Sequence, residues 1–167
     1  MIHYSIREKS DHIMSDCNFI CNFTCHQRSY YSWDANDYGP SPLILNINHD
    51  TLRNPSFRTT RWTGKHMQLT LMSIPVDYEI GVENHPNEDQ YICVADGDGM
   101  ICMGDSPYNL LYTQTVDNGC AILIPANTWH NLINTGDRPL KIYCIYAPVV
   151  HQPDTVHWTK RDSDKQH

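Results

Sequence analysis

From Thr59 onward, apolar and polar residues alternate in short runs separated by turn-forming residues. A period of two marks a strand with one buried face, and clusters of Gly, Pro, Asn and Asp mark where strands stop. The pattern predicts strands over about 58–63, 66–74, 79–85, 90–96, 99–103, 110–116, 120–125, 129–134 and 139–147. Gly64-Lys65, Pro75-Val76-Asp77, Gly97-Asp98-Gly99, Asp117-Asn118-Gly119 and Asn134-Thr135-Gly136-Asp137 fall between them. Leu43–Ile47 reads as a further short strand after the Tyr38-Gly39-Pro40-Ser41-Pro42 turn, and the polar stretch 48–56 has room for a helical turn. Many short strands with close turns predict an all-β chain, an antiparallel sandwich or barrel. Residues 1–37 lack alternation and read as an N-terminal arm, 38–157 as the β domain, and 158–167 as a polar tail that caps the domain and frays.

Residues two apart on a strand share a face. Gln90, Ile92 and Val94 form one such set, and His130, Leu132 and Asn134 another. Polar residues at strand ends with apolar residues deeper are what a barrel with an open mouth requires. Glu83 and His85 also share a side, and His85-Pro86-Asn87-Glu88-Asp89 reads as the turn of a hairpin that returns Gln90 beside His85. His130 adds a second imidazole. Two His, one carboxylate and a weaker amide make a donor set for a divalent ion such as Fe, Mn, Zn or Ni. The competing reading leaves both imidazoles on the surface or satisfied by hydrogen bonds in the core. Glu88 and Asp89 are alternative acids in the same turn.

These residues also carry a family resemblance. Gly119, five residues, Pro125, one residue, Asn127, two residues, His130, three residues, Asn134 resembles the second motif of the cupin superfamily, with Asn127 where that motif usually has Gly. Asn is the next best residue at a positive φ. Glu83, one residue, His85, four residues, Gln90, six residues, Gly97 is similar to the first cupin motif, with Glu83 replacing its first His and Gln90 its Glu. The resemblance spans about 65–148. Strings within Gly81–Gln90 and Pro125–Gly136 are similar to those of small single-domain bacterial cupins of the mannose-6-phosphate-isomerase-like kind. The resemblance implies a double-stranded β-helix, or jelly-roll, barrel. It also implies a metal held by Glu83, His85, Gln90 and His130.

Other residues are candidates for substrate contacts. His66, Gln68 and Thr70 alternate opposite Met67, Leu69 and Leu71, and face either the interior or solvent. Arg61, between Arg58 and Lys65, offers a guanidinium to a phosphate or carboxylate, or else belongs to a solvated loop. Tyr143 and Tyr146 flank Cys144; a phenol near the metal, Tyr143 being the candidate, could move a proton with Glu83, or simply pack on the barrel wall. His151 and His157 are positioned in sequence to close over the mouth.

Composition narrows the function. The 167 residues make one domain, and 40% hydrophobic content with 10 Tyr and 4 Trp describes a globular chain. A formal charge of −7 argues against nucleic-acid or anionic-membrane partners. No run is long enough for a membrane helix, and Met1–Lys9 has no hydrophobic signal core, so a cytoplasmic location is expected. Seven Cys scattered through strand-like runs are not a disulfide framework. Cys17, Cys21 and Cys25, with His26, are spaced to stack on one helix face; they read either as a small metal site or as part of a plain arm. Serine-elbow, phosphate-loop and dinucleotide motifs are absent from the sequence. The expected function is metal-dependent chemistry on a small sugar or hydroxy-carbonyl compound, of isomerase or epimerase type. The alternatives are metal-dependent dioxygenation, or small-ligand binding without catalysis. Exposed sheet edges predict a homodimer.

Overall fold

The structure, a computed structural model, describes residues 33–165. By its contacts the chain divides into Met1–Tyr30 and Tyr31–His167, and everything described below belongs to the second unit. Cys17, Cys21, Cys25 and His26 lie outside the described residues.

The elements are α1 (Ile47–Arg53), β1 (Arg58–Thr63), β2 (Gln68–Ile74), β3 (Asp89–Asp96), β4 (Gly99–Gly104), β5 (Tyr112–Val116), β6 (Ala121–Ile124), β7 (Trp129–Asn134), β8 (Leu140–Ala147), β9 (Val156–His157) and α2 (Lys160–Asp164). They form two antiparallel sheets, one in the order β6-β3-β8-β2-β1-β9 and one in the order β5-β4-β7. The sheets face each other across a shared core and are not closed by hydrogen bonds into a barrel. This is the expected all-β double-stranded β-helix.

Register explains the interior. Cross-strand partners lie on the same face of a sheet. Gln68, Tyr146, Gln90 and Ile124 therefore form one inward row, Thr70, Cys144, Ile92 and Ile122 the next, and Met72, Ile142 and Val94 a third. The smaller sheet mirrors this gradient. Ile101 pairs with Leu132 deep in the core, where both are at most 2% exposed, and Met103 pairs with His130 nearer the end. Apolar residues thus fill one end of the interior and polar residues the other.

Two local expectations need correction. Leu43–Asn46 is irregular, not a strand: the Asn46 side chain accepts from His49 N at 3.0 Å and starts α1, and Ile44 is left 91% exposed. The 79–85 segment is no strand of a hairpin with β3. Gly81, at φ +95°, interrupts it, and it meets β7 through single bridges, Glu79 with Ile133 and Glu83 with His130. The tail is also more ordered than its polarity suggests. β9 pairs with β1, and a Thr159–Asp162 capping box starts α2, whose Ser163 is buried. Residues 33–37, assigned to the arm, are fastened along β1. Arg61 Nη1 donates to Asp34 Oδ1 at 2.9 Å, and Thr63 N donates to Asp37 Oδ1 at 2.9 Å.

Candidate metal centre

The bridge between Glu83 and His130 is a mutual hydrogen-bonded pair: each backbone N–H donates to the other's carbonyl at 2.9 Å. Such a pair puts both side chains on one face. His85 follows Glu83 by two residues, and its carbonyl accepts from Asn127 N at 2.7 Å. Asn127 itself sits at φ 64°, the left-handed conformation expected where Asn replaces Gly. The turn into β7 and the approach of residues 83–85 are thereby locked to each other.

Glu83 Oε1 lies 3.4 Å from His85 Nε2 and 3.4 Å from His130 Nε2. One ligand atom from each of Glu83, His85 and His130 falls within 4.8 Å of the other two. All three atoms are buried and lack a hydrogen-bond partner. His130 Nδ1 is 2.9 Å from the Thr128 carbonyl, which can only accept, so Nδ1 carries a proton and Nε2 is the ring atom turned toward Glu83. Burial would push the Glu83 pKa up, but the two imidazoles and then Arg58 hold it well below the ordinary carboxylate range. A carboxylate oxygen and two imidazole nitrogens therefore converge in a buried space. Three such atoms, buried without other partners, make a donor set for a cation between them. The 3.4 Å spacing suits neighbouring donor atoms around an ion with bonds of about 2.1 Å. The residues fit a divalent metal.

Around this cluster lie further polar groups. Gln90 is 3% exposed, on the inner face of β3, with Oε1 unpartnered. Tyr146 is fully buried; its hydroxyl has no partner and its ring stands edge-on to His85 at 5.3 Å and to His151 at 5.2 Å. Burial raises the Tyr146 pKa well above 10.0 and pushes His151 down to about 3, so both are neutral. Arg58 is 1% exposed, with Nη2 at 3.7 Å from Glu83 Oε2 and Nη1 donating to Ser163 Oγ at 3.0 Å.

Residues 70–146 match the model of the family described as the Cupin domain. A Bacillus subtilis relative, uncharacterized protein YrkC, is 51% identical over 127 residues, covering 76% of this chain and 68% of its own. The chain belongs to the cupin family. Uncharacterized protein L612 of Acanthamoeba polyphaga mimivirus is 36% identical over 114 residues, covering 68% of this chain and 69% of its own. The crystal structure of BH2720 from Bacillus halodurans is similar with a TM-score of 0.77 and 50% identity, covering 78% of this chain and 98% of that one.

The cupin fold brings together Glu83, His85 and His130, with Gln90 on the adjoining inner row. It does not bring in the other candidates. Tyr143 points to the outer face of the larger sheet, its ring 6.1 Å from that of Tyr91, because it is three residues from Tyr146 on the same strand. A hydrogen bond with Cys93, with burial, raises its pKa. The phenol at the cluster is that of Tyr146. Arg61 is consumed by Asp34 and Asp50 and lies over the Tyr38 ring at 4.8 Å. Gln68 faces inward, yet its amide is committed: Nε2 donates to Thr63 Oγ1 at 2.9 Å and to the His151 carbonyl at 2.8 Å, and Oε1 accepts from His151 N at 2.9 Å. It pins residue 151 and is not free for substrate. His66 is exposed in the turn before β2, outside the strand. Arg58 belongs in sequence to a basic cluster with Arg61 and Lys65. Its inward facing follows from pairing with Met72, two residues before Thr60 pairs with Thr70, and that register is a long-range fact the sequence does not print.

Proposed function

We propose that this cupin holds a divalent metal at Glu83, His85 and His130, with Gln90 adjoining, and acts on a small hydroxy-carbonyl compound as an isomerase- or epimerase-like enzyme. One observation carries the reading: three buried ligand atoms without other partners, one carboxylate oxygen and two imidazole nitrogens, converge within 4.8 Å. When bound, the ion would supply Lewis acidity that polarises adjoining carbonyl and hydroxyl oxygens. The chain's own residues supply the rest. The Thr128 carbonyl orients His130, and Arg58 holds the far oxygen of Glu83. The neutral Tyr146 hydroxyl is the group placed to hold or release a proton at a ligand oxygen.

Dioxygenation is the second reading, supported by the two-His-one-carboxylate donor set. Redox activity on the bound metal separates them. Metal content is measured by inductively coupled plasma mass spectrometry on protein as purified, after chelation and reloading, and as His85→Ala/His130→Ala. Near-stoichiometric metal lost in the double variant is expected. Zn directs assays to isomerisation, whereas Fe or Mn adds oxygen-consumption assays. Metal at trace levels even after reloading would sink both and favour ligand binding without catalysis.

The homodimer remains a proposal supported by the sheet edges. β5 and β6 end their sheets, with Tyr112 61% and Leu123 72% exposed. A monomer mass by light scattering would refute it. Among the described residues, no helix is long and apolar enough to cross a membrane.

A further inference from the structure

The charges of the interior do not balance once a metal is present. Glu83 supplies one carboxylate, and Arg58 lies 3.7 Å from its Oε2. The other donors toward the ion, His85, His130 and Gln90, are neutral when they ligate. Tyr146, Cys144 and His151 are neutral neighbours, the Cys144 thiol pushed up to about 12 by burial. Asp164 of α2 also acts on Arg58, but it is 57% exposed and paired with Lys160 at 2.8 Å. Carboxylate and guanidinium cancel, so a divalent ion leaves about two uncompensated positive charges in an enclosed space, which is costly to bury.

The unpartnered donors point the same way. Arg58 is 1% exposed, and its Nε–H has no hydrogen-bond partner. Tyr146 is fully buried, and its hydroxyl has none either. A buried donor left unmade costs about 1–3 kcal/mol, so both call for an acceptor. The guanidinium cannot lose its proton, so its demand is permanent.

We infer that the ligand completing this centre is a small carboxylate, of the hydroxy- or oxo-acid class, whose negative oxygens answer the ion, the Arg58 Nε–H and the Tyr146 hydroxyl. Arg58 is the residue that sets this specificity. The inference rests on the metal reading above. It also makes a demand with two signs: Arg58 favours the anion but opposes the metal, because it is a cation beside Glu83, the carboxylate that would hold the ion.

The test loads the full chain with Mn(II), verifies the content by mass spectrometry, and titrates it calorimetrically with glycolate and with glycolamide, its neutral counterpart. In the unaltered protein glycolate should bind about tenfold or more tighter than glycolamide. In Arg58→Met that preference should collapse to about threefold or less, while Mn(II) is held as tightly as before or more tightly. If Arg58→Met does not fold, Tyr146→Phe removes only the hydroxyl; it should weaken glycolate severalfold and leave Mn(II) content unchanged. A loaded protein that does not discriminate the two probes overturns the inference alone. So does a preference that survives Arg58→Met, or glycolate affinity that is unchanged in Tyr146→Phe. Failure to take up Mn(II) or any other divalent ion overturns the metal reading and the inference together.

Discussion

The two ends of the interior are made from the same strands and are chemically opposite. At one end Met72, Ile142, Val94, Ile101 and Leu132 are at most 2% exposed and offer each other only apolar surface. Four residues along the same strands, Gln68, Tyr146 and Gln90 take the inward positions, joined by Glu83, His85, His130 and Arg58. Both ends are buried, but the effect of burial differs. The apolar end gains from excluding water. At the polar end Arg58 Nε, Glu83 Oε1, His85 Nε2, Gln90 Oε1, His130 Nε2, Tyr146 Oη and His151 Nε2 are buried without partners. Native interiors rarely tolerate such atoms singly, and a cluster of them marks a place built for something else. The apolar end stabilises the fold, and the polar end is held ready at a cost in stability that the apolar end offsets.

Variants at the two ends should therefore separate stability from binding. Ile142→Ala, at the centre of the apolar end, should cost about 2–5 kcal/mol in denaturant unfolding, while the folded fraction keeps its full metal stoichiometry. His85→Ala should do the reverse, lowering metal affinity beyond the roughly 10–100-fold typical of a second-sphere change with a smaller stability loss. If the two variants lose metal and stability in the same proportion, the division of labour is false.

The polar end should also show itself in acid. The folded protein keeps His151 neutral down to about 3, whereas the unfolded chain takes up the proton near 6.5. The unfolded state binds more protons across that window, so stability falls as pH drops through it and is insensitive to this group above it. The contribution is at most about 1.4 kcal/mol per pH unit. His151→Phe, which keeps a ring against Tyr146, should flatten the slope of Tm between pH 6 and pH 4. An unaltered slope would refute this assignment.

A smaller effect tests the joint between the two motif segments. Asn127→Ala puts a β-carbon without a compensating amide at φ 64° and should cost about 1 kcal/mol, whereas Asn127→Gly should cost little or nothing. The smallest effect is kinetic. Cys144 is fully buried with its pKa near 12, so iodoacetamide should label it only on unfolding, while the partly exposed Cys120 reacts in the native protein.

The sequence carried the fold in its alternation: β1 and β7 coincide with the predicted runs, and β3, β4, β6 and β8 differ by a residue or so at their ends. Sites legible from period two were those on regular strands, such as Gln90 with Ile92 and His130 with Leu132. What remained hidden depends on long-range partners. Glu83 meets His130 across a bridge that no local pattern announces, and the hairpin inferred from 79–85 instead crosses to the other sheet. Tyr143 and Tyr146 look alike in sequence, and only the register of β8 against β3 decides which points inward. Arg58 and Arg61 are likewise alike in sequence, and only the pairing of β1 with β2 shows that Arg58 is the one on the inward row. Gln68 faces inward as alternation allows, but the carboxy-terminal segment takes up its amide.

The most direct measurement is anomalous scattering from crystals of the reloaded protein, collected on both sides of the metal's absorption edge. The account predicts one strong peak within about 2.0–2.3 Å of Glu83 Oε1, His85 Nε2 and His130 Nε2. No peak there, with those side chains instead bridged by water, would contradict it.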